Sequence, residues 1–196
     1  MANKPLTILV AGPDASATRA VEDGLAGAGG RDRIAVLHGF ADLPARVAAL
    51  APDAVVAVLE TLDAATLDGV FRLARSGACA VVLFADKAPP GAAAQAAEAG
   101  VAAFVLDGLH PARVRPILET ALARFAAFET LKRERDEART QLADRKLIER
   151  AKGILMQQKS LTEEAAYNAL RKAAMKQGRR VADIAQSVIT AAQIEL

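Results

Sequence analysis

Ala54-Val-Val-Ala-Val-Leu59 is a short, unbroken apolar run, the pattern of a strand buried on both faces of a sheet. Four more runs flank it: Leu6-Thr-Ile-Leu-Val-Ala11, Ile34-Ala-Val-Leu37, Ala80-Val-Val-Leu-Phe84 and Ala102-Ala-Phe-Val-Leu106. The segments between and after them, about 15–28, 41–50, 66–75, 91–99 and 111 onward, have helical spacing and supply crossover helices. Asp14-Ala-Ser16 and the Pro111 that follows His110 are fitting helix starts. The expected architecture is a five-stranded, parallel, doubly wound α/β domain of flavodoxin-like order 2-1-3-4-5. In such sheets the crevice lies at the carboxyl ends of the strands.

At 196 residues the chain has room for one sizeable core and a small second unit. Its apolar share is 53% but its aromatic share only 4%, so alanine dominates and helices with close packing are favoured. There is no apolar run of membrane-spanning length, and the start Met1-Ala-Asn-Lys-Pro-Leu-Thr-Ile-Leu-Val10 lacks the pattern of a signal peptide, so a cytoplasmic location is expected. Cys79, the sole cysteine, adjoins the strand at Ala80 and reads as a small buried hydrophobe. Charge is uneven: residues 131–180 hold 14 Lys and Arg against 7 Asp and Glu, whereas residues 1–130 hold 11 against 14. The basic third is a candidate surface for a polyanion, although a solvated helix face has the same composition.

The five strands, with Ala51-Pro-Asp53 leading into the third and Ala99-Gly-Val101 into the fifth, resemble a two-component receiver domain. That resemblance implies an acidic pair after strand one, a phosphoacceptor aspartate ending strand three, a hydroxyl after strand four and a lysine after strand five. This chain places Gly12 and Pro13, Val58, Ala85 and Asp107 there. Without the carboxylate nucleophile there is no acyl phosphate, and without the acidic pair little holds the metal. Asp14, Glu60 and Asp86 lie near the strand ends and read as caps or loop carboxylates, or else as a different acidic cluster. The expectation is a pseudo-receiver used for protein interaction and dimerisation, with no cofactor and no metal. His38 and His110 have no partner spacing for catalysis or metal binding, so no enzyme is expected.

From Pro116 to Gln158 the first glycine is Gly153, which predicts one long helix. Phe128, Leu131, Arg135, Ala138 and Leu142 follow a 3-4-3-4 spacing, a short and weak coiled-coil seam. The helix either pairs across a homodimer, packs back on the first domain, or is a solvated linker. The expected boundaries are 1–125 for the receiver-like domain, 126–145 for the connector and 146–196 for a basic domain.

The basic domain reads as a three-helix bundle. Its first helix is the end of the connector, through Met156; Thr162 with Glu163 and Glu164 starts a second, which Gly178 ends, and the third begins near Val181. Ile148, Leu155, Leu170, Ile184, Val188 and Ile189 are the expected core. Arg150, Lys152, Arg171, Lys172, Lys176, Arg179 and Arg180 remain as cations for phosphates. Gly153 inside a helix costs about 1 kcal/mol relative to alanine, which calls for close approach of a neighbouring helix or of RNA backbone. Tyr167, the only tyrosine, is either a base-stacking ring or part of the core.

Arg150-Ala-Lys-Gly-Ile-Leu-Met156, Ala166-Tyr-Asn-Ala-Leu-Arg171 and Ala182-Asp-Ile-Ala185 together resemble the RNA-binding ANTAR domain, over about 143–194. Leu170-Arg-Lys-Ala-Ala-Met175, Arg179-Arg-Val-Ala-Asp183 and Thr190-Ala-Ala192 look like the NasT-type branch, nitrate- and nitrite-responsive antiterminators that pair a receiver-like domain with an ANTAR domain. The resemblance implies binding to stem-loops in leader mRNA that prevents terminator formation, under an inhibitory nitrate-sensing partner protein. Two rivals stand beside it. A phosphorylated regulator with a DNA-binding helix-turn-helix is opposed by Val58 and by Asp183 on a helix with no Lys or Arg after Arg180. The other is an adaptor whose basic helices dock an acidic protein.

Overall fold

The computed structural model describes residues 5–13, 15–26, 31–61 and 64–194. It divides into two compact units, residues 1–130 and 131–196. The stretch expected as a connector, 126–145, falls across that division.

The first unit is a five-stranded parallel sheet of order β2-β1-β3-β4-β5. Its strands are β1 (Thr7–Gly12), β2 (Arg33–His38), β3 (Ala54–Thr61), β4 (Ala80–Lys87) and β5 (Ala103–Leu106). The intervening helices are α1 (Ala15–Ala26), α2 (Leu43–Leu50), α3 (Ala64–Ser76) and α4 (Ala92–Glu98). Alternation within the apolar runs builds two cores. Leu9, Val55, Ala57, Val81 and Leu83 meet Leu43, Val70, Phe71 and Ala96 of α2, α3 and α4. Ile8, Val10, Val56, Val58, Val82 and Phe84 meet Val21 and Leu25 of α1 and Val114 and Leu118 of α5 (Pro111–Lys159). A strand covered on both faces has no polar side to display, which is why these runs lack the usual alternation of polar and apolar residues.

Two aspartates fasten the amino ends of the strands. Asp53 Oδ2 accepts the Thr7 N–H at 2.8 Å, and Asp32 Oδ1 accepts the Leu6 N–H at 2.8 Å while its other oxygen pairs with the Arg115 guanidinium of α5. Burial pushes the Asp32 carboxyl up, but the Leu6 amide and Arg115 outweigh it and hold the group below its ordinary value. Gly24 of α1 is required by packing, since a Cβ there would lie 2.3 Å from the Pro111 carbonyl oxygen. Cys79 is buried beside β4, and burial raises its thiol to about 11 despite a backbone hydrogen bond involving Val55.

The second unit is built by the last part of α5, α6 (Glu163–Gln177) and α7 (Val181–Ile194). Helix α5 continues to Lys159, three residues past the expected end at Met156, and stops where Ser160 adopts a φ of 52°. Thr162 caps α6 by accepting the Ala165 N–H at 3.3 Å, with Glu163 and Glu164 in the first turn, and Gly178 closes the helix in the left-handed conformation. The core holds Leu155, Leu170, Ile184 and Ile189, with Ile148 and Val188 packed against it. Ala151, Ala166, Ala174 and Ala185 are also buried there, so the helices meet over small side chains. No helix among the described residues is long and apolar enough to cross a membrane.

Candidate nucleic-acid interface

Receiver chemistry would reside at the carboxyl edge of the sheet, where β3 and β4 continue as strand to Thr61 and Lys87. Val58 and Ala85 lie inside β3 and β4, both buried, rather than at strand ends. The two strands run on together as far as the pair Thr61 and Lys87. Val58 belongs to the apolar cluster that includes Phe84, so its surroundings offer nothing to solvate a phosphoryl group. Gly12 ends β1 and Pro13 follows it, while Asp107, just after β5, has a φ of 45°. Glu60 and Asp86 are exposed, and Asp14 lies outside the described residues. Among the described residues no three His, Cys, Asp or Glu side chains gather closely enough to hold a metal ion. Gly12, Pro13 and Val58 supply no side-chain oxygen, so the residues at these positions do not fit a receiver's magnesium. His110 is a helix cap, its Nδ1 accepting the Ala112 N–H at 3.3 Å, and His38 ends β2 in an exposed position.

In the second unit the sequence-nominated cations separate into two groups. Arg171, Lys172 and Lys176 are exposed on α6 and Arg150 on α5, and none of them has a carboxylate within 4 Å among the described residues. Arg179 is exposed and, among the described residues, donates only to the Gln177 side-chain oxygen at 3.5 Å and the Asp183 carbonyl at 3.4 Å. Tyr167 is 43% exposed, so the ring is not part of the core. Tyr167, Arg171 and Met175 recur every four residues and share one face of α6, with Met175 75% exposed. An aromatic ring, a planar guanidinium and a polarisable thioether are thus held in a row on a basic helix. Such a row suits stacking on bases beside phosphate contacts.

Lys152 and Arg180 fall in the other group. Lys152 is only 7% exposed, which removes it from the cations expected to reach phosphate. Its ammonium lies 2.6 Å from Glu163 and 3.0 Å from both oxygens of Glu149, tying α5 to the first turn of α6. The hydrogen bonds to Glu163 and then Glu149 raise Lys152 above its ordinary pKa, and the same bond lowers Glu163. Arg180 bridges Asp144 of α5 and Asp183 of α7, each at 3.2 Å. Both cations connect helices, and the separation of Lys152 from Glu163 and of Arg180 from Asp144 in sequence conceals those two pairs from local pattern. Gly153 is exposed with nothing within 4 Å of a Cβ position, which rules out the helix contact offered as one reason for it. Sequence reasoning passed over Lys146 and Met175, though Lys146 stands one turn before Arg150 and Met175 one turn after Arg171, spacings that mark a shared face.

Comparison with known proteins fits this division. Residues 136–189 match the ANTAR domain family. The chain is 25% identical to the transcriptional regulatory protein PdtaR of Mycobacterium tuberculosis over 138 residues, 70% of this chain and 67% of that protein. It is 47% identical to the nitrate regulatory protein of Klebsiella oxytoca over 49 residues, 25% of this chain and 12% of that protein. The CheY-like response regulator receiver domain from Methanospirillum hungatei superposes with a TM-score of 0.53 at 12% identity, covering 63% of this chain and 98% of that one. At that identity the likeness is one of fold. The chain therefore carries an ANTAR domain over residues 136–189, following a receiver-like domain of five parallel strands.

Proposed function

We propose that this protein is a transcription antitermination regulator that binds stem-loops in leader mRNA through its ANTAR domain and prevents a terminator hairpin from forming. The observation that carries this reading is the row Tyr167, Arg171 and Met175 on α6, with the carboxylate-free cations Lys172 and Lys176 on the same helix. Proteins read RNA sequence mainly from unstacked loop bases, which such a row can take, while the cations neutralise phosphates. The contact residues proposed are Arg150, Gly153, Tyr167, Arg171, Lys172, Lys176 and Arg179; Arg180 contributes through its place at the start of α7, and Lys152 by positioning α6. The genes served are those of nitrate or nitrite assimilation, a reading supported by the 47% identity to the nitrate regulatory protein.

Control is by partner binding in the cytoplasm and not by phosphorylation, because a buried valine replaces the phosphoacceptor. An inhibitory nitrate-sensing protein that favours the RNA-incompetent form is displaced when RNA binds, and by reciprocity it weakens RNA binding equally. The working form is a homodimer paired along α5.

The test is a gel shift at fixed salt with the purified full chain and no phosphodonor, using a two-hairpin leader RNA, a loop-scrambled RNA and a duplex DNA of equal length. Selective retention of the intact leader is expected. Arg171→Ala weakens it, and Lys176→Ala lowers the dependence of log affinity on log salt by about one. Equal, weak binding to all three nucleic acids would sink the RNA reading and favour an adaptor that docks an acidic protein.

A further inference from the structure

Gly153 stands in the last turns of α5 with nothing within 4 Å of where a Cβ would be, so the fold leaves room there for any side chain. The bundle gives no packing reason for a residue that weakens its helix. Lys146 and Arg150 lie seven and three residues before it and Gln157 four after, spacings that bring all four to one face. Neither cation has a carboxylate within 4 Å among the described residues. Arg150 and Gln157 also line a groove of about 410 Å³ between α5 and α7, together with Ile154, Gln158, Ala192 and Gln193. That size falls in the range of small-ligand pockets, roughly 300–1,000 Å³.

We propose that this groove receives one unpaired nucleotide of the RNA, its base against Ile154 and Ala192 and its sugar-phosphate passing over Gly153. The chemistry matches in each part. Two apolar side chains accept the face of a base, and three glutamine amides offer donors and acceptors to its edge. Arg150 and Lys146 meet the phosphates, Arg150 with the planar fork suited to them. The missing Cβ lets a backbone approach the helix closely. An acidic peptide would engage the two cations but leave the amides and the glycine without a role. The inference rests on the RNA-binding reading and adds a second point of contact, made of residues other than those on α6.

The test measures binding of a fluorescent leader hairpin to the full-length protein by anisotropy, alongside the thermal unfolding midpoint. Gly153→Leu is expected to weaken binding by about tenfold or more, the scale of losing a stacked base, with an unfolding midpoint at or above that of the unsubstituted protein. Gln193→Leu, at the exposed edge of the groove, gives a second reading that does not alter the glycine. Replacing one loop nucleotide at a time by an abasic residue should identify a position at which Gly153→Leu causes no further loss. If Gly153→Leu and Gln193→Leu bind as the unsubstituted protein does while Arg171→Ala still weakens binding, the groove is not a contact and the α6 reading stands. If the unsubstituted protein does not select the hairpin, RNA binding itself fails. Displacement of the hairpin by polyglutamate with equal loss across these variants would overturn the nucleotide in favour of a peptide.

Discussion

Lys152 shows how a residue type can mislead about its task. A lysine on a basic helix is read as a phosphate ligand, yet here its stem is buried and its ammonium is shared between Glu149 and Glu163. Removing the side chain loses the packing of its buried stem and the tie between the exposed Glu149 and Glu163, so Lys152→Ala should lower the unfolding midpoint of the second unit, and Lys152→Met, which keeps the stem, should restore part of it. The pH dependence follows from the two shifts. Glu163 is held below its ordinary 4.5, so its contribution is present above that pH and is lost as pH falls through the lowered value. Lys152 is held above its ordinary 10.5, so its contribution is present below that pH and disappears as pH rises through the raised value. The stability difference between Glu163→Gln and the unsubstituted protein should therefore be flat between those ordinary values and shrink below the lower one. A urea series across pH checks this, and a difference that persists undiminished in strong acid would contradict it. All seven cations could be named from composition, but the pairing of Lys152 with Glu163 could not. Glu163 is eleven residues away across a turn whose geometry depends on Ser160 and the Thr162 cap.

At the scale of the element, close contact decides more than intrinsic preference. Gly24 sits in a helix where alanine would be favoured by about 1 kcal/mol on propensity alone. A methyl group there meets the Pro111 carbonyl at 2.3 Å, a backbone atom that cannot swing aside. Overpacking of this kind costs about 1–3 kcal/mol, so Gly24→Ala should be net destabilising, seen as a lower urea midpoint at unchanged m-value. A neutral or stabilising result would mean that α1 and the start of α5 separate more easily than their packing indicates. The strands show a related limit. Their central residues were legible because burial on both faces leaves an uninterrupted apolar run. The ends of β3 and β4 were not, because Glu60, Thr61, Asp86 and Lys87 have the composition of loops while the ladder continues through Thr61 and Lys87. Hydrogen bonding along a strand is independent of side-chain polarity, so a ladder can outlast its apolar pattern. That extension is what places Ala85 within the sheet and carries β3 three residues past Val58.

For the molecule as a whole, the open question is what covers α5. Every residue from 133 to 143 is exposed, and Phe128, Leu131 and Leu142 remain 59%, 63% and 56% exposed. Large apolar side chains at 3-4 spacing on an otherwise charged helix are the signature of a helical partner, and a second copy satisfies it. Because Arg135 and Ala138 occupy the seam between the leucines, the association should be concentration-dependent. Sedimentation velocity across a dilution series should show a monomer–dimer exchange, with the double substitution Leu131→Asp and Leu142→Asp monomeric throughout; a wild-type chain that stays monomeric at high concentration would exclude pairing through this helix. Cys79 bears on the integrity of the receiver-like unit in another way. Alkylating reagents attack the thiolate, and a buried thiol raised to about 11 supplies almost none near neutrality. Being the sole cysteine, it turns the chain into its own stopwatch: the rate at which a maleimide couples to the native protein should report how often the sheet opens around that sulfur, and should be unaffected by substitutions confined to the bundle.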